Sequence, residues 1–277
     1  MTATPERDAP RETADPGFSD AVTYAFADPA TEVYGIARLG FAEGAASGLA
    51  IVFRGGEPVA VGADSGALSA ETLSPLESWR VRFAGDVAFD LGFEALGPPL
   101  ELDEDAPAAQ AGGMTSFDHL CRVTGRLGDT AFTGLGQRGR SWGTPDWDRM
   151  ALARSLSAWL DDAHAVSAVA VRPAKGRTHA DEAVAAFVFD SDREEGPVRA
   201  VADPRISTAY DGEGRQRRAG LELYVDSEDA YPRRAAGVVV AGTSLDLGRL
   251  RLDCAFFRWR MEGREGLGRY DVLRRTS

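Results

Sequence analysis

Gly134-Leu135-Gly136-Gln137-Arg138-Gly139-Arg140-Ser141-Trp142-Gly143-Thr144-Pro145-Asp146-Trp147 is the stretch whose reading decides the fold. Four glycines, two arginines, two tryptophans and an aspartate fall within fourteen residues. Arginine, aspartate and tryptophan are costly to bury without partners, so the cluster does more than turn a corner. Gly134-x-Gly136-x-x-Gly139 satisfies the dinucleotide fingerprint, which needs a strand before it and a helix opening at its third glycine. Trp142, Gly143 and Pro145 follow instead, and no βαβ pattern surrounds them, so no nucleotide site is expected. Gly139-x-Ser141-x-Gly143 satisfies the nucleophile-elbow pattern, which belongs on a strand-to-helix turn with an acid and then a histidine downstream. Asp161 and His164 are the nearest downstream pair and make a poor triad, so Ser141 reads as a serine in a tight β turn.

On both sides of this stretch, alternation with a period of two dominates. Trp79, Val81 and Phe83 alternate with Arg80 and Arg82, and Val87, Phe89, Leu91 and Phe93 alternate with Asp90, Gly92 and Glu94. That is a hairpin with one dry and one wet face. Residues 49–53 and 59–61 flank Arg54-Gly55-Gly56-Glu57, and residues 120–127 and 130–135 flank Gly128-Asp129, giving two more hairpins. Further strands are expected at 164–172, 182–190, 197–202, 219–225, 235–240, 249–260 and 267–274. Leu250, Leu252 and Cys254 share one face and Phe257, Trp259 and Met261 the other, which predicts a bulge near Ala255 or Phe256. Residues 146–160 fit either a helical face (Leu152, Leu156, Trp159, Leu160) or a strand face broken by Arg154. Residues 97–113 read as a solvated loop. About seven strands before Gly139 and about eight after it predict an all-β chain of two barrel- or sandwich-sized halves.

The formal net charge is −12, a field that disfavours nucleic acid and anionic membrane surfaces as partners. Lys175 is the only lysine, and the arginines are scattered along the chain, which fits coding bias better than a phosphate-binding surface. Cys121 and Cys254 lie in apolar runs and read as small core residues of a reduced, cytoplasmic protein. No run approaches the roughly 20 apolar residues of a membrane helix. Residues 1–20, with three prolines and five acidic residues, read as a disordered tail rather than a signal peptide. The expected domains are then 21–140 and 141–277. His119, His164 and His179 are the only histidines; His119 and Cys121 share a strand face, but no second ligand pair has metal-site spacing. Arg140 is expected to pair with a carboxylate, Asp146 and Asp148 being the nearest in sequence.

Taken whole, Gly134-x-Gly136-Gln137-Arg138-x-x-Ser141-Trp142-Gly143-x-x-Asp146-Trp147 resembles the pattern G-x-G-x-R-D-H-S-W-G-x-R-D-W. That pattern belongs to the lipocalin-like superfamily of hydroxyneurosporene synthase (carotenoid hydratase) and AttH-type proteins. Upstream, Cys121-Arg122-Val123-Thr124-Gly125 with Thr133-Gly134 looks like the strand pair leading into the motif. Downstream, the run from Glu262 to Asp271 looks like the family's closing strand. The resemblance implies two consecutive lipocalin-like antiparallel β domains and a pocket for an apolar terpenoid, polyketide or fatty-acid-like molecule. It implies no metal or nucleotide cofactor.

Binding of such a ligand is the first functional reading. Turnover by hydration, isomerisation or cyclisation is the second, and a ligand-free scaffold the third. Alkene hydration needs an acid, a dry pocket and aromatic faces toward positive charge. The resemblance assigns the acid to Asp146, the aromatic wall to Trp142 and Trp147, and ligand orientation to Arg138 or Arg140. The sequence departs from the pattern where Arg140 replaces its histidine, Gly139 its first aspartate and Pro145 its second arginine. Arginine stays protonated and is a poor proton donor, so the departure falls where the chemistry would lie.

Overall fold

The computed structural model describes residues 3–276 apart from 12–14, 16, 43–44, 63–65, 194–195, 227 and 229. The alternating segments form nineteen strands among the described residues. The first ten are β1 (Ser19–Asp28), β2 (Val33–Ala42), β3 (Ala45–Arg54), β4 (Glu57–Gly62), β5 (Leu68–Ser74), β6 (Ser78–Phe83), β7 (Phe89–Ala95), β8 (Leu100–Leu102), β9 (Met114–Leu127) and β10 (Thr130–Gly143). The remaining nine are β11 (Met150–Asp161), β12 (His164–Pro173), β13 (Ala183–Asp190), β14 (Val198–Ala200), β15 (Asp203–Tyr210), β16 (Gln216–Tyr224), β17 (Arg233–Asp246), β18 (Leu250–Met261) and β19 (Arg264–Arg275). Three short helical segments accompany them among the described residues: α1 (Pro5–Asp8), α2 (Pro107–Gly112) and a single 3-10 turn at His179–Asp181.

The strands build two antiparallel sheets with one wiring. The first runs β4-β3-β2-β1-β10-β9-β7-β6-β5, with β8 added to β9; the second runs β14-β13-β12-β11-β19-β18-β17-β16-β15. In each, the first strand lies beside the last, so hairpins on either side fan out from a central seam. Each sheet curls: β5 approaches β2 and β3 in the first, and β13 approaches β15 in the second. The chain accordingly divides into two compact units, Met1–Asp103 with Met114–Pro145, and Glu104–Gly113 with Asp146–Ser277.

Each unit buries its own core. In the first, Phe26, Trp79, Val81, Leu91, Phe93 and Val123 line the concave face, while Arg80 and Arg82 stay exposed. In the second, Leu156, Val166, Leu221, Phe257, Trp259 and Val272 do the same. Cys121 and Cys254 are free and buried, as small core residues should be.

Several sequence expectations change. Of the ambiguous segment 146–160, residues 150–160 belong to the strand β11, with Arg154 on the interior face and not interrupting it, and 146–149 form the turn before it. Strand β18 pairs without a break along β19, so Ala255 and Phe256 form no bulge. The extra residue lies in β17, between Val239 and Ala241, and residues 253–257 of β18 are simply buried on both faces. The expected loop at 97–113 contains β8 and α2, whose Ala108 and Ala109 are buried. Of the expected tail, Pro5–Asp8 forms a helical turn with Asp8 buried, and residues 12–14 and 16 lie outside the described residues.

Candidate functional site

The glycine-rich motif runs along β10. A Cβ on Gly134 would meet the Ala27 carbonyl, and one on Gly136 would meet the Ala25 carbonyl and, at 2.7 Å, Val123 Cγ2. These glycines let β10 cross β1 closely; they are packing devices of the seam, as glycine within a strand often is. Ser141 sits inside the same strand, opposite Ala21 and Ser116, so it occupies no strand-to-helix turn.

Strand alternation turns Arg138 and Arg140 onto the concave face of the first unit. Arg138 is 1% exposed and forms an ion pair with Asp8. Its guanidinium lies over the rings of Trp79, at 4.7 Å, and Phe117, at 5.4 Å. Arg140 is also buried and pairs with Asp20 on the neighbouring strand, not with Asp146 or Asp148. Trp142 is half-buried beside Phe117, with Arg11 stacked 3.7 Å above it. Asp146 falls in the second unit, exposed in a turn where its Oδ1 accepts the Asp148 N–H at 3.0 Å. Trp147 is half-buried, and its carbonyl accepts from Arg275 Nη1 at 3.4 Å. The structure thus brings Arg138, Arg140 and Trp142 onto one face, and leaves the Asp146 carboxylate exposed in its turn.

The surroundings of Arg138 are dry. Burial drives the Tyr24 hydroxyl up to about 12. Burial, reinforced by the Arg138 charge, drives His119 down to about 3, so its imidazole stays neutral. Neither His119 ring nitrogen has a hydrogen-bond partner among the described residues. Cys121 shares this face; burial pushes its thiol up to about 12, and the thiol donates to the His119 carbonyl.

The second unit carries a polar cluster that the motif search missed. Arg154 of β11 is buried and pairs with Glu182, whose side chain is fully buried. Glu182 Oε1 also accepts from Arg172 Nη2 at 2.6 Å and lies 2.8 Å from His179 Nδ1. Arg154 Nη1 donates to the Tyr270 hydroxyl and to Thr208 Oγ1, both at 3.0 Å, and those two oxygens are 2.6 Å apart. His179 is partly exposed and stacks on Tyr210, with 13° between the rings.

Burial pushes Glu182 up, but the Arg154 charge and the bonds from Arg172, His179 and Arg154 outweigh it and hold the carboxyl below its usual range. Burial likewise raises the Tyr270 phenol against the opposing Arg154 charge, so it remains a neutral donor. The visible sequence signal was Arg154 itself, a charge on an otherwise apolar strand face. Its partners come from β12, β15, β19 and the turn before β13, which no local motif connects.

Elsewhere in the second unit, His164, Asp190 and Asp192 bring ligand-type atoms within 4.8 Å of one another. His164 Nδ1 lies 2.7 Å from Asp161, and its Nε2 is 3.4 Å from each of the other two carboxylates, an ion-pair set about one imidazole.

Two curled antiparallel sheets, each closed at its seam by the first and last strands, define a two-domain lipocalin-like protein. The chain belongs to the family described as Domain of unknown function (DUF7064), whose profile matches residues 4–276. No curated protein sequence matches it. Among solved structures, an AttH-like protein from Nitrosomonas europaea superposes with a TM-score of 0.67 at 14% identity, covering 92% of this chain and 91% of the other. CghA with Sch210972 gives 0.62 at 10% identity, over 94% of this chain and 89% of that one. Kievitone hydratase from Nectria haematococca gives 0.61 at 12% identity, over 92% and 88%. At these identities the likeness is one of fold. No helix among the described residues is long and apolar enough to cross a membrane.

Proposed function

We propose that this chain binds a largely apolar small molecule and transfers protons to and from it, in a reaction of the hydratase or cyclase kind. The reaction site in this reading is the Arg154–Tyr270–Glu182–His179 cluster. One observation carries it: the Tyr270 hydroxyl lies on a buried apolar face, 5.3 Å from Phe257 between ring centres, yet is held by a buried arginine. A neutral phenol beside a fixed guanidinium can give up its proton because the cation stabilises the phenolate left behind. In this reading Glu182 Oε1, 2.8 Å from His179 Nδ1, selects the tautomer with its proton on Nδ1, and the partly exposed ring links the cluster to solvent. The structural likeness to kievitone hydratase supports this kind of chemistry by analogy of fold alone.

Binding without turnover is a second reading, favoured by Trp259. Its Nε1 is buried on the same core and lacks a partner among the described residues, so a ligand oxygen would satisfy it. The two readings separate in one experiment. Wild type and Tyr270→Phe are incubated in D2O with terpenoid, polyketide and fatty-acid-like alkenes, and bound and released compounds are weighed by mass spectrometry. The enzyme reading expects a product carrying carbon-bound deuterium, with turnover falling about 10²- to 10⁴-fold in Tyr270→Phe while binding persists. Turnover that survives Tyr270→Phe removes Tyr270 as the acid. A compound that wild type binds and returns unchanged supports binding alone.

A further inference from the structure

The first unit holds a carboxylate in a site built from three separate elements. Asp8 pairs through Oδ1 with Arg138, while its Oδ2 accepts the Trp79 indole N–H at 2.9 Å and the Leu76 backbone N–H at 3.0 Å. Leu76 stands at φ 64°, a left-handed conformation that a branched, bulky residue adopts only at a cost. The strained turn points its N–H at the carboxylate. Strain of this kind gathers where a ligand is clamped.

The occupant is weakly anchored. Among residues 3–11 only Ala3 and Asp8 are buried, and no side chain of that segment is a large hydrophobe. The segment is held by polar contacts: Asp8 in its site, the Ala3 N–H on Glu101 Oε1, the Arg11 N–H on Asp20 Oδ2, and Arg11 over Trp142. Behind the carboxylate Arg138 also faces the Tyr24 hydroxyl. Among the described residues Arg138 Nε and Nη1 have no hydrogen-bond partner, nor does either nitrogen of His119, whose ring centre lies 5.1 Å from that of Trp79. A fully buried neutral imidazole with both nitrogens unmatched is rare unless something else completes it.

We propose that Arg138, Trp79 Nε1 and the Leu76 N–H form a binding site for the carboxylate of an organic acid. Asp8 is its in-chain occupant, and His119 is the group that meets a second polar atom of the ligand. This site belongs to the first unit and stands apart from the reaction assigned to the second. Tethering gives Asp8 an effective concentration of the order of millimolar, so a free carboxylate at tens of millimolar competes with it.

The test uses the full chain, with formate and acetate as probes and chloride at equal ionic strength as the control. In wild type, trypsin cleavage at the Arg7–Asp8 bond is expected to accelerate with acetate over chloride, because proteolysis tracks the open population. Asp8→Ala should be cleaved about tenfold faster, and should lose thermal stability that formate restores and chloride does not. A response to formate no larger than to chloride in Asp8→Ala overturns the proposal, as does wild-type protection of that variant. If Asp8→Ala does not fold, the wild-type comparison decides alone: equal cleavage in acetate and chloride overturns it.

Discussion

Glu182→Gln is the substitution that tests the polar cluster of the second unit most directly. It keeps the shape of the side chain and removes its charge. The carboxylate is fully buried against Arg154, which is 1% exposed, with Arg172 and His179 on its outer side. Removing one partner of a buried pair leaves an uncompensated charge and costs about 3–5 kcal/mol. At about 2–4 °C per kcal/mol for a unit of this size, the melting temperature should fall by roughly 6–20 °C. Asp148→Asn is the control: it breaks a bridge to Arg249 whose partners are 70% and 76% exposed, and should cost about 1 kcal/mol or less.

The acid limb gives a second reading of the same group. A depressed carboxylate contributes stability that is present above its unfolded pKa, near 4.3, and is lost as pH falls through the lower folded value. Glu182→Gln should therefore flatten the loss of stability below about pH 4. Replacing both partners, as Arg154→Met with Glu182→Leu, should recover most of the stability while stripping Tyr270 of its guanidinium. Thermal and urea melts of the three variants against wild type measure all of this. A loss under about 1 kcal/mol in Glu182→Gln would refute the burial of a working ion network.

Three further outcomes follow from the first unit and the turn after it. His119 is held neutral to about pH 3 while an unfolded histidine protonates near 6.5, so the unfolded state binds the extra proton between those values. Stability should fall by up to about 1.4 kcal/mol per pH unit below about 6.5, and His119→Asn should remove that slope from urea melts taken between pH 4 and 7. Arg140→Leu, which leaves buried Asp20 only the more distant Arg11 guanidinium at 4.0 Å, should cost up to about 3–5 kcal/mol; an unchanged melting temperature would show that the pair contributes nothing. Asp146→Asn should shift stability by no more than about 0.5 kcal/mol and leave ligand binding and turnover intact, since its carboxylate is exposed; a collapse of turnover would return the acid to Asp146.

Much of the fold was legible because hairpins advertise themselves. Trp79-Arg80-Val81-Arg82-Phe83 could be nothing but a half-buried strand, and it is β6. Strand β1 was not legible for the opposite reason: all but one of its ten residues are buried, Asp20, Thr23 and Asp28 among them, so polarity does not alternate with exposure. The site was legible only where a motif marked it. Arg140 carried the expectation of an ion pair, and it has one, but with Asp20, 120 residues away; Arg138, expected only to orient a ligand, pairs with Asp8, 130 residues away. Sequence proximity favours turn partners such as Asp146, whereas sheet topology delivers partners from the strand that lies alongside. Glu182 and Tyr270 were invisible because each looks ordinary in its own segment.

The two sheets share more than their order. In β10, Gly134 and Gly136 precede Arg138 at steps of two; in β19, Gly266 and Gly268 precede Tyr270 in the same way. The glycines of both strands press against carbonyls of the first strand of their sheet, so the two seams are built alike. Across each seam an arginine and a tyrosine come together with their places exchanged. Tyr24 of β1 faces Arg138 of β10, whereas Arg154 of β11 donates to Tyr270 of β19. Each arginine then takes one buried carboxylate. The difference lies in where that carboxylate comes from. Glu182 is supplied from within its own sheet, just before β13, and brings a solvent-facing histidine with it. Asp8 is supplied by a segment with no large apolar anchor. A shared frame thus carries one carboxylate set within its own sheet beside a histidine, which the proposed proton transfer uses, and one carried by an N-terminal segment, which the proposed acid site would exchange.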